Sequence, residues 1–256
     1  MNLTQTYDQA FYQTQMAESL QSARIYIAHL RKFIQPVTVL DVGCGRGMWL
    51  KACGEFESTK LYGYDGSWNR QELMVDPSII FRAIDLDQPF TAQGVDLAMS
   101  LEVAEHLAPA SAGGFVASLA STSDTVIFGA AYTGQGGTHH INEQPASYWA
   151  ALFDGQGFDP FDVFRPALWG DSRVPYWYRQ NTFAYLLRRS GAHREALGHG
   201  LCPISPAFMD CVHPDMFALS VQARHAAEQN LPFSSHVRAL APTFVRAVKR
   251  RLKSQA

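Results

Sequence analysis

The 256-residue sequence predicts an α/β fold built on a mostly parallel sheet. Three observations carry this reading. Short apolar, β-branched runs recur along the chain, separated by stretches long enough for helices. The second, third and fourth of these runs close on an acidic residue, Asp65, Asp85 and Glu102. The first run breaks directly into a glycine-rich turn, GCGRG, before a helical stretch. Strands that alternate with helices need crossover connections, which places helices on both faces of the sheet.

In chain order, Met16, Leu20, Ala23, Ile27, Leu30 and Ile34 recur at steps of four and three, one face of a helix that Pro36 stops. VTVLDVG (37–43) is the first strand, and WLKACGEF opens the next helix. KLYGYD, SIIFRAID, VDLAMSL (95–101) and TVIFGAAY (125–132) supply four more strands, with LAPASAGGFVASLAS as one of the intervening helices. A helix is expected around PASYWAALFDGQGF. Two strand-like runs follow, FDPFDVFRPAL and YWYRQNTFAYLLRR, which can pair antiparallel at the sheet edge. Residues 1–190 then form the main domain with its N-terminal helix. Residues 191–256, with Cys202-Pro203, Ser205-Pro206 and His213-Pro214, form a helical appendage packed on it.

Composition narrows the function classes. With 21 Lys and Arg against 23 Asp and Glu, the net charge of -2 offers no broad cationic field, so a nucleic-acid partner is disfavoured. Cys44, Cys53, Cys202 and Cys211 show neither C-x-x-C pairing nor the density of a disulfide scaffold, which points to a reducing, cytoplasmic setting. The polar start MNLTQTYDQAFY lacks an export pattern, and no run of 18 apolar residues suggests a membrane span. A homo-oligomer is left open.

The turn Asp41-Val-Gly43-Cys-Gly45-Arg-Gly47 lies where an open parallel sheet binds ligands, beyond the carboxyl end of its first strand. A dinucleotide fingerprint needs glycine or alanine where Met48 stands, and Asp41 sits poorly beside a pyrophosphate but suits a cationic amine. Both features argue against an NAD-dependent oxidoreductase. Asp65 can accept from both hydroxyls of a ribose. Asp85 can accept from an adenine amino group, while the Leu86 N–H donates to a ring nitrogen.

With DVGCGRG, YGYD, AIDL and LEVAEHL in this order, the sequence over residues 20–187 resembles the class I S-adenosylmethionine (SAM) methyltransferases. The resemblance implies a Rossmann-like, mostly parallel seven-stranded sheet with an antiparallel edge strand, and SAM as cofactor with S-adenosylhomocysteine (SAH) as product. It also implies roles. Gly43 and Gly45 lie against the methionine part, whose amino group Asp41 holds. Asp65, with Gly66 beside it, takes the ribose, Asp85 and Leu86 the adenine, and Leu101 and Glu102 lie beneath the transferable methyl. Cys44, in the middle of the turn, reads as a small residue fitting against SAM rather than a nucleophile, since no histidine is near it in sequence.

The acceptor side is read from Glu102-Val-Ala-Glu105-His106, after the fourth strand, and Thr138-His139-His140-Ile-Asn142-Glu143, after the fifth. A hydroxyl acceptor needs a base or a Lewis acid, and His106, His140 and Glu105 are the candidates. E-x-x-E-H resembles the segment by which ubiquinone-pathway and small-RNA 2′-O-methyltransferases hold a divalent ion, with His139 or His140 as an added ligand here. A plain histidine base, His106 or His140, is the simpler reading. HINEQPASYWAALFDGQGF and CVHPDMF resemble segments of small bacterial methyltransferases associated with glycan or secondary-metabolite biosynthesis. The cluster of Trp169, Tyr176, Trp177, Tyr178, Arg173, Arg179 and Asn181 either stacks on a sugar and grips an anion or fills a seam. The basic stretch VRAVKRRLK either touches an acidic surface or is a solvated helix.

Methyl transfer to a hydroxyl of a small polar acceptor, a sugar or nucleotide-linked sugar, is therefore the expected activity. N- or C-methylation of another metabolite, RNA 2′-O-methylation and a non-catalytic SAM-binding partner subunit are the alternatives.

Overall fold

The computed structural model describes residues 9–57 and 60–229. They divide into two units, the first ending at His213 and the second represented by a single helix, Pro214–Gln229. The basic stretch near the C-terminus lies outside the described residues.

The first unit holds a seven-stranded sheet: β1 (Thr38–Val42), β2 (Lys60–Asp65), β3 (Ile79–Ala83), β4 (Leu97–Leu101), β5 (Thr125–Gly129), β6 (Phe158–Phe161) and β7 (Phe183–Leu187). Their order across the sheet is β3-β2-β1-β4-β5-β7-β6. All neighbours from β3 to β5 run parallel, and β7 inserts antiparallel between β5 and β6. The order turns back on itself at β1, which pairs β2 on one side and β4 on the other. At such a point the two flanking connections leave in opposite directions and open a crevice beyond the strand ends.

Among the described residues the α-helices of this unit are α1 (Gln9–Leu30), α2 (Met48–Glu55), α3 (Ala112–Ala120), α4 (Ala146–Gly155), α5 (Arg165–Leu168), α6 (Tyr176–Asn181) and α7 (Gly191–Gly198). The strands' period of two sends alternate side chains to opposite faces. Val39, Leu97, Met99, Ile127, Ala184 and Leu186 join one apolar cluster with Ala23, Tyr26 and Ile27 of α1 and Trp49 and Leu50 of α2. Leu40, Val42, Ala98, Val126, Phe128 and Tyr185 join the other, with Phe115 and Leu119 of α3 and Trp149 and Phe153 of α4. Phe153 stacks on Tyr185 with ring centres 4.0 Å apart. Strands buried on both faces explain why they read as continuous apolar runs.

Several elements are shorter than their sequence runs. The first helix ends at Leu30, β3 stops at Ala83, two residues before Asp85, and β5 stops at Gly129. The two late runs each divide. In the first, β6 covers Phe158–Phe161, and Pro166, near the start of α5, turns the rest helical. In the second, Tyr176–Asn181 is helix α6, not strand. Pro175 fixes the backbone just before it, and Arg179, Gln180 and Asn181 are buried on polar partners rather than alternating with solvent. Residues 191–213 continue the first unit, with Ala196 buried in one apolar cluster and Met209 in the other.

Candidate active site

The glycine turn after β1 is shaped by the absence of side chains. Gly43, Gly45 and Gly47 adopt φ of 83°, 53° and 82°, the left-handed region that disfavours a Cβ. A Cβ on Gly43 would overlap the Val103 side chain, whereas one on Gly45 would meet nothing within 4 Å. Gly45 therefore presents bare backbone to open space. The turn is pinned to β2: Gly43 and Cys44 donate N–H bonds to the Tyr64 carbonyl, and Gly45 N–H reaches Asp65 Oδ2 at 2.7 Å. Asp65 Oδ1 accepts the Gly66 N–H, also at 2.7 Å. The buried Asn69 side chain donates to the Gly45 carbonyl and closes the turn from outside.

A cleft of about 810 Å³ opens above these groups at the carboxyl ends of the first four strands. Gly43, Gly45, Asp65, Gly66, Asp85, Leu86, Glu102 and His106 are all in its wall, so most residues expected to serve the cofactor meet in one place. Its volume lies in the range of small-molecule sites. The wall carries four carboxylates, Asp65, Asp85, Asp87 and Glu102, and no lysine or arginine. Asp85 Oδ1 accepts the Asp87 N–H at 3.0 Å, and Asp87 Oδ1 accepts the Ala108 N–H at 2.8 Å, which ties the loop after β3 to the segment that precedes α3. Trp68 also stands in the wall, 65% exposed and packed over Gly66.

Two expected residues lie behind the wall. Leu101 packs on the apolar cluster of the α1 face. Asp41, on the same face of β1 as Val39, is 4% exposed, and burial, with the neighbouring Asp65 charge, pushes its carboxyl up to about 8. Asp65 is raised too, by burial, against the lowering effect of its two backbone N–H bonds. Burial pushes the Cys44 thiol up, with Asp41 and Asp65 adding to it, so Cys44 is an inert filler of the turn rather than a thiolate nucleophile.

Glu102, just after β4, has φ 56°, an uncommon backbone for a side-chain-bearing residue. Its Oε1 accepts from Asn181 Nδ2 at 3.0 Å and its Oε2 from Gln135 Nε2 at 2.9 Å, while Asn181 also donates to Gln135 Oε1 at 2.9 Å. Burial raises Glu102, and the two amide donors oppose the rise. Glu105 is fully buried and both its oxygens lack hydrogen-bond partners among the described residues. Burial and the Glu102 charge push it up to about 8, while the backbone N–H groups of Glu105 and Ala131 temper the rise from outside hydrogen-bonding geometry. His140 Nε2 faces Glu105 Oε1 at 4.0 Å, and the His106 and His140 rings meet edge to face, 4.8 Å between centres. Burial, then the His140 charge, holds His106 below the ordinary imidazole range, which favours its neutral, proton-accepting form.

Sequence reasoning did not single out Trp68, Asn69 or Gln135. Trp68 and Asn69 had a local signal, an aromatic and an amide three and four residues after Asp65. Gln135 reaches the site from a loop that no periodicity describes. The late aromatic cluster fills a seam inside the first unit. Tyr178 packs edge-on to Trp49 at 5.2 Å, Trp169 lies 4.5 Å from His213, Arg179 binds the Trp169 carbonyl, and Arg173 pairs with Asp171. From that cluster Asn181 reaches the site, through its bond to Glu102.

A strand-turn-helix cleft at the point where sheet order reverses, with acids at successive strand ends, lies where open α/β sheets bind their ligands. Residues 12–123 match a family model described as a methyltransferase domain. Comparison with curated proteins finds no match. Among solved structures, the chain is similar to magnesium protoporphyrin IX methyltransferase from Synechocystis PCC 6803, with bound SAH, at 19% identity over 71% of this chain and 90% of that one, TM-score 0.50. The methyltransferase domain of bacterial CtHen1 aligns at 19% identity over 66% of this chain and 98% of that one, TM-score 0.52. An O-methyltransferase family protein from Burkholderia thailandensis aligns at 13% identity over 72% of this chain and 61% of that one, TM-score 0.53. Residues 12–123 are thus similar to a methyltransferase domain, and the fold around them is like that of SAM-dependent methyltransferases. Among the described residues no helix is long and apolar enough to cross a membrane.

Two outcomes follow from this geometry. Gly43→Ala is expected to destabilise the protein by roughly 2–4 kcal/mol, combining a left-handed backbone with overpacking against Val103. Denaturant titration should show Val103→Ala recovering part of that loss; no recovery would mean the overlap is not the cause. Asp41 keeps its proton in the folded state up to about 8, while the unfolded chain releases it near about 4. Unfolding therefore releases protons between these values, so this stabilisation is complete at low pH and is lost as pH rises to about 8. The melting temperature of Asp41→Asn should vary less over that window than the wild type's, and a profile as steep as wild type would contradict the assignment.

Proposed function

We propose that the chain transfers a methyl group from SAM to a hydroxyl of a small polar acceptor, of the sugar or nucleotide-linked sugar class. The observation that carries the cofactor reading is the charge of the cleft: among the described residues four carboxylates line it, with no lysine or arginine. A sulfonium and an ammonium group suit such a wall, whereas a pyrophosphate would be repelled. Asp65 retains a second lone pair on each oxygen for ribose hydroxyls, although both oxygens already accept backbone N–H bonds. Asp85 and Leu86 stand where an adenine edge is to be read, with the exposed Trp68 ring beside them to cover it.

SAM carries its own activation, so the protein's main contribution is to hold the nucleophile in line with the methyl group. A neutral hydroxyl additionally needs its proton removed. His106 is the imidazole in the cleft wall, and its lowered basicity keeps it free to accept that proton near neutral pH. His140 and Glu105 stand behind it. The likeness of the fold to an O-methyltransferase family protein supports oxygen as the acceptor atom.

A second reading, a divalent cation, is favoured by one further observation. The ligand atoms of Glu105, His106 and His140 all lie within 4.8 Å of one another, and the Glu105 carboxylate is buried without hydrogen bonds. Mixed imidazole and carboxylate donors fit a first-row divalent ion. These three residues would hold it, and a bound ion would lower the pKa of an acceptor hydroxyl. Glu102 is engaged by two amide donors, so the set is Glu105, His106 and His140.

The protein incubated with methyl-deuterated SAM and a pool of polyols and nucleotide sugars should give one SAH per labelled O-methyl product by mass spectrometry. His106→Ala is expected to lower kcat by about 10²- to 10⁴-fold while SAM affinity stays within about twofold. Label found on nitrogen or carbon, or a full rate in His106→Ala, would contradict the proposal. Activity unaltered by EDTA would remove the metal reading and leave the histidine base.

A further inference from the structure

We propose that Glu143 is a positioning residue for the acceptor step: its carboxylate fixes the tautomer of His140 and anchors the glycine loop that aims both histidines. The inference rests on the reading of His106 and His140 as the acceptor-side groups.

Three donors converge on the Glu143 carboxylate. Oε2 accepts the Gly134 N–H at 2.8 Å, and Oε1 accepts the Gly136 N–H at 2.7 Å and His140 Nδ1 at 2.9 Å. The Glu143 carbonyl accepts from the Thr133 hydroxyl at 3.5 Å. One side chain thus organises the loop from both of its ends. A carboxylate only accepts hydrogen bonds, so the His140 nitrogen beside it must carry the proton. The same reasoning applies to His106, whose Nδ1 lies 3.3 Å from the His139 carbonyl, another group that only accepts. His139 holds that carbonyl in place through a left-handed backbone, φ 61°.

In the neutral form of each ring these acceptors place the proton at Nδ1, on the loop side, and leave the lone pair at Nε2. In His140 that atom points toward Glu105. Gly137 leaves room for this arrangement, because a Cβ there would overlap the His140 ring. A bare Nε2 is what either a general base or a metal ligand requires. Gln135 lies on the same loop and donates to Glu102, so the segment Glu143 anchors reaches the cofactor side as well.

Glu143→Leu tests this. Leucine offers His140 Nδ1 no acceptor, so the proton is free to move to Nε2, which faces Glu105. Nitrogen NMR of ¹⁵N-histidine-labelled protein in alkaline buffer, where imidazole is neutral, reads the tautomer directly, with His140 assigned by its absence in His140→Asn. The expected result is a bare Nε2 in wild type and a protonated Nε2 in Glu143→Leu. The acceptor-dependent kcat should fall about 10- to 100-fold. Glu143→Asp, which keeps the charge, should keep the wild-type tautomer and part of the rate; it also serves if the leucine variant fails to fold. Wild-type His140 already protonated at Nε2, or a tautomer indifferent to both substitutions, would overturn the proposal. Absence of methyl transfer in every variant would instead count against the activity, because the tautomer is read without turnover.

Discussion

The cleft depends on one interaction, the convergence of two backbone N–H groups, from Gly45 and Gly66, on the Asp65 carboxylate. Hydrogen bonds to an ionised acceptor are about twice as strong as neutral ones. They clamp the glycine turn after β1 to the end of β2, so the first wall of the cleft is made of backbone rather than side chain. The same clamp holds Gly45 in a left-handed conformation with open space in front of it. Asp65 is thus a structural acceptor as well as a candidate ligand group.

Concentrating carboxylates has a second consequence. Asp41 and Glu105 are pushed up to about 8, and Asp65 and Glu102 are raised as well, burial being the first cause in each case. Among the described residues the cleft wall holds no lysine or arginine to relieve them. A cationic ligand would. Electrostatics and shape therefore point to the same chemistry, a nucleoside attached to a positively charged amino-acid part. Burial alone would raise these groups anywhere; their meeting around one cleft gives the shifts a functional meaning.

The glycine turn and the acids of the cleft were legible in the sequence because their signals are local. A glycine turn after an apolar run, and acids at the ends of Lys60–Asp65 and after Ile79–Ala83, are each read within a few residues. A parallel sheet then brings strand ends together without further information. The acceptor half was legible only in part. Glu105, His106 and His140 stand out as residue types, and the structure does bring them together. Their hydrogen-bond partners do not stand out: Gln135 and Glu143 come from an irregular loop, and Asn181 from a segment whose aromatic residues read as strand. That segment became helix α6 because Pro175 sets its start and its polar residues found buried partners, a tertiary effect that local propensity does not express. Trp68 was missed for the converse reason, since an exposed ring is noticed only once the cleft beside it is known.

Amide hydrogen exchange with and without SAH tests the placement of the cofactor most directly. Protection is expected at the amides of residues 43–47, 65–69 and 84–87, the turn, the end of β2 and the loop after β3, with little change at β6. No protection by SAH at saturating concentration, or protection confined to segments away from these strand ends, would contradict the assignment of the cleft.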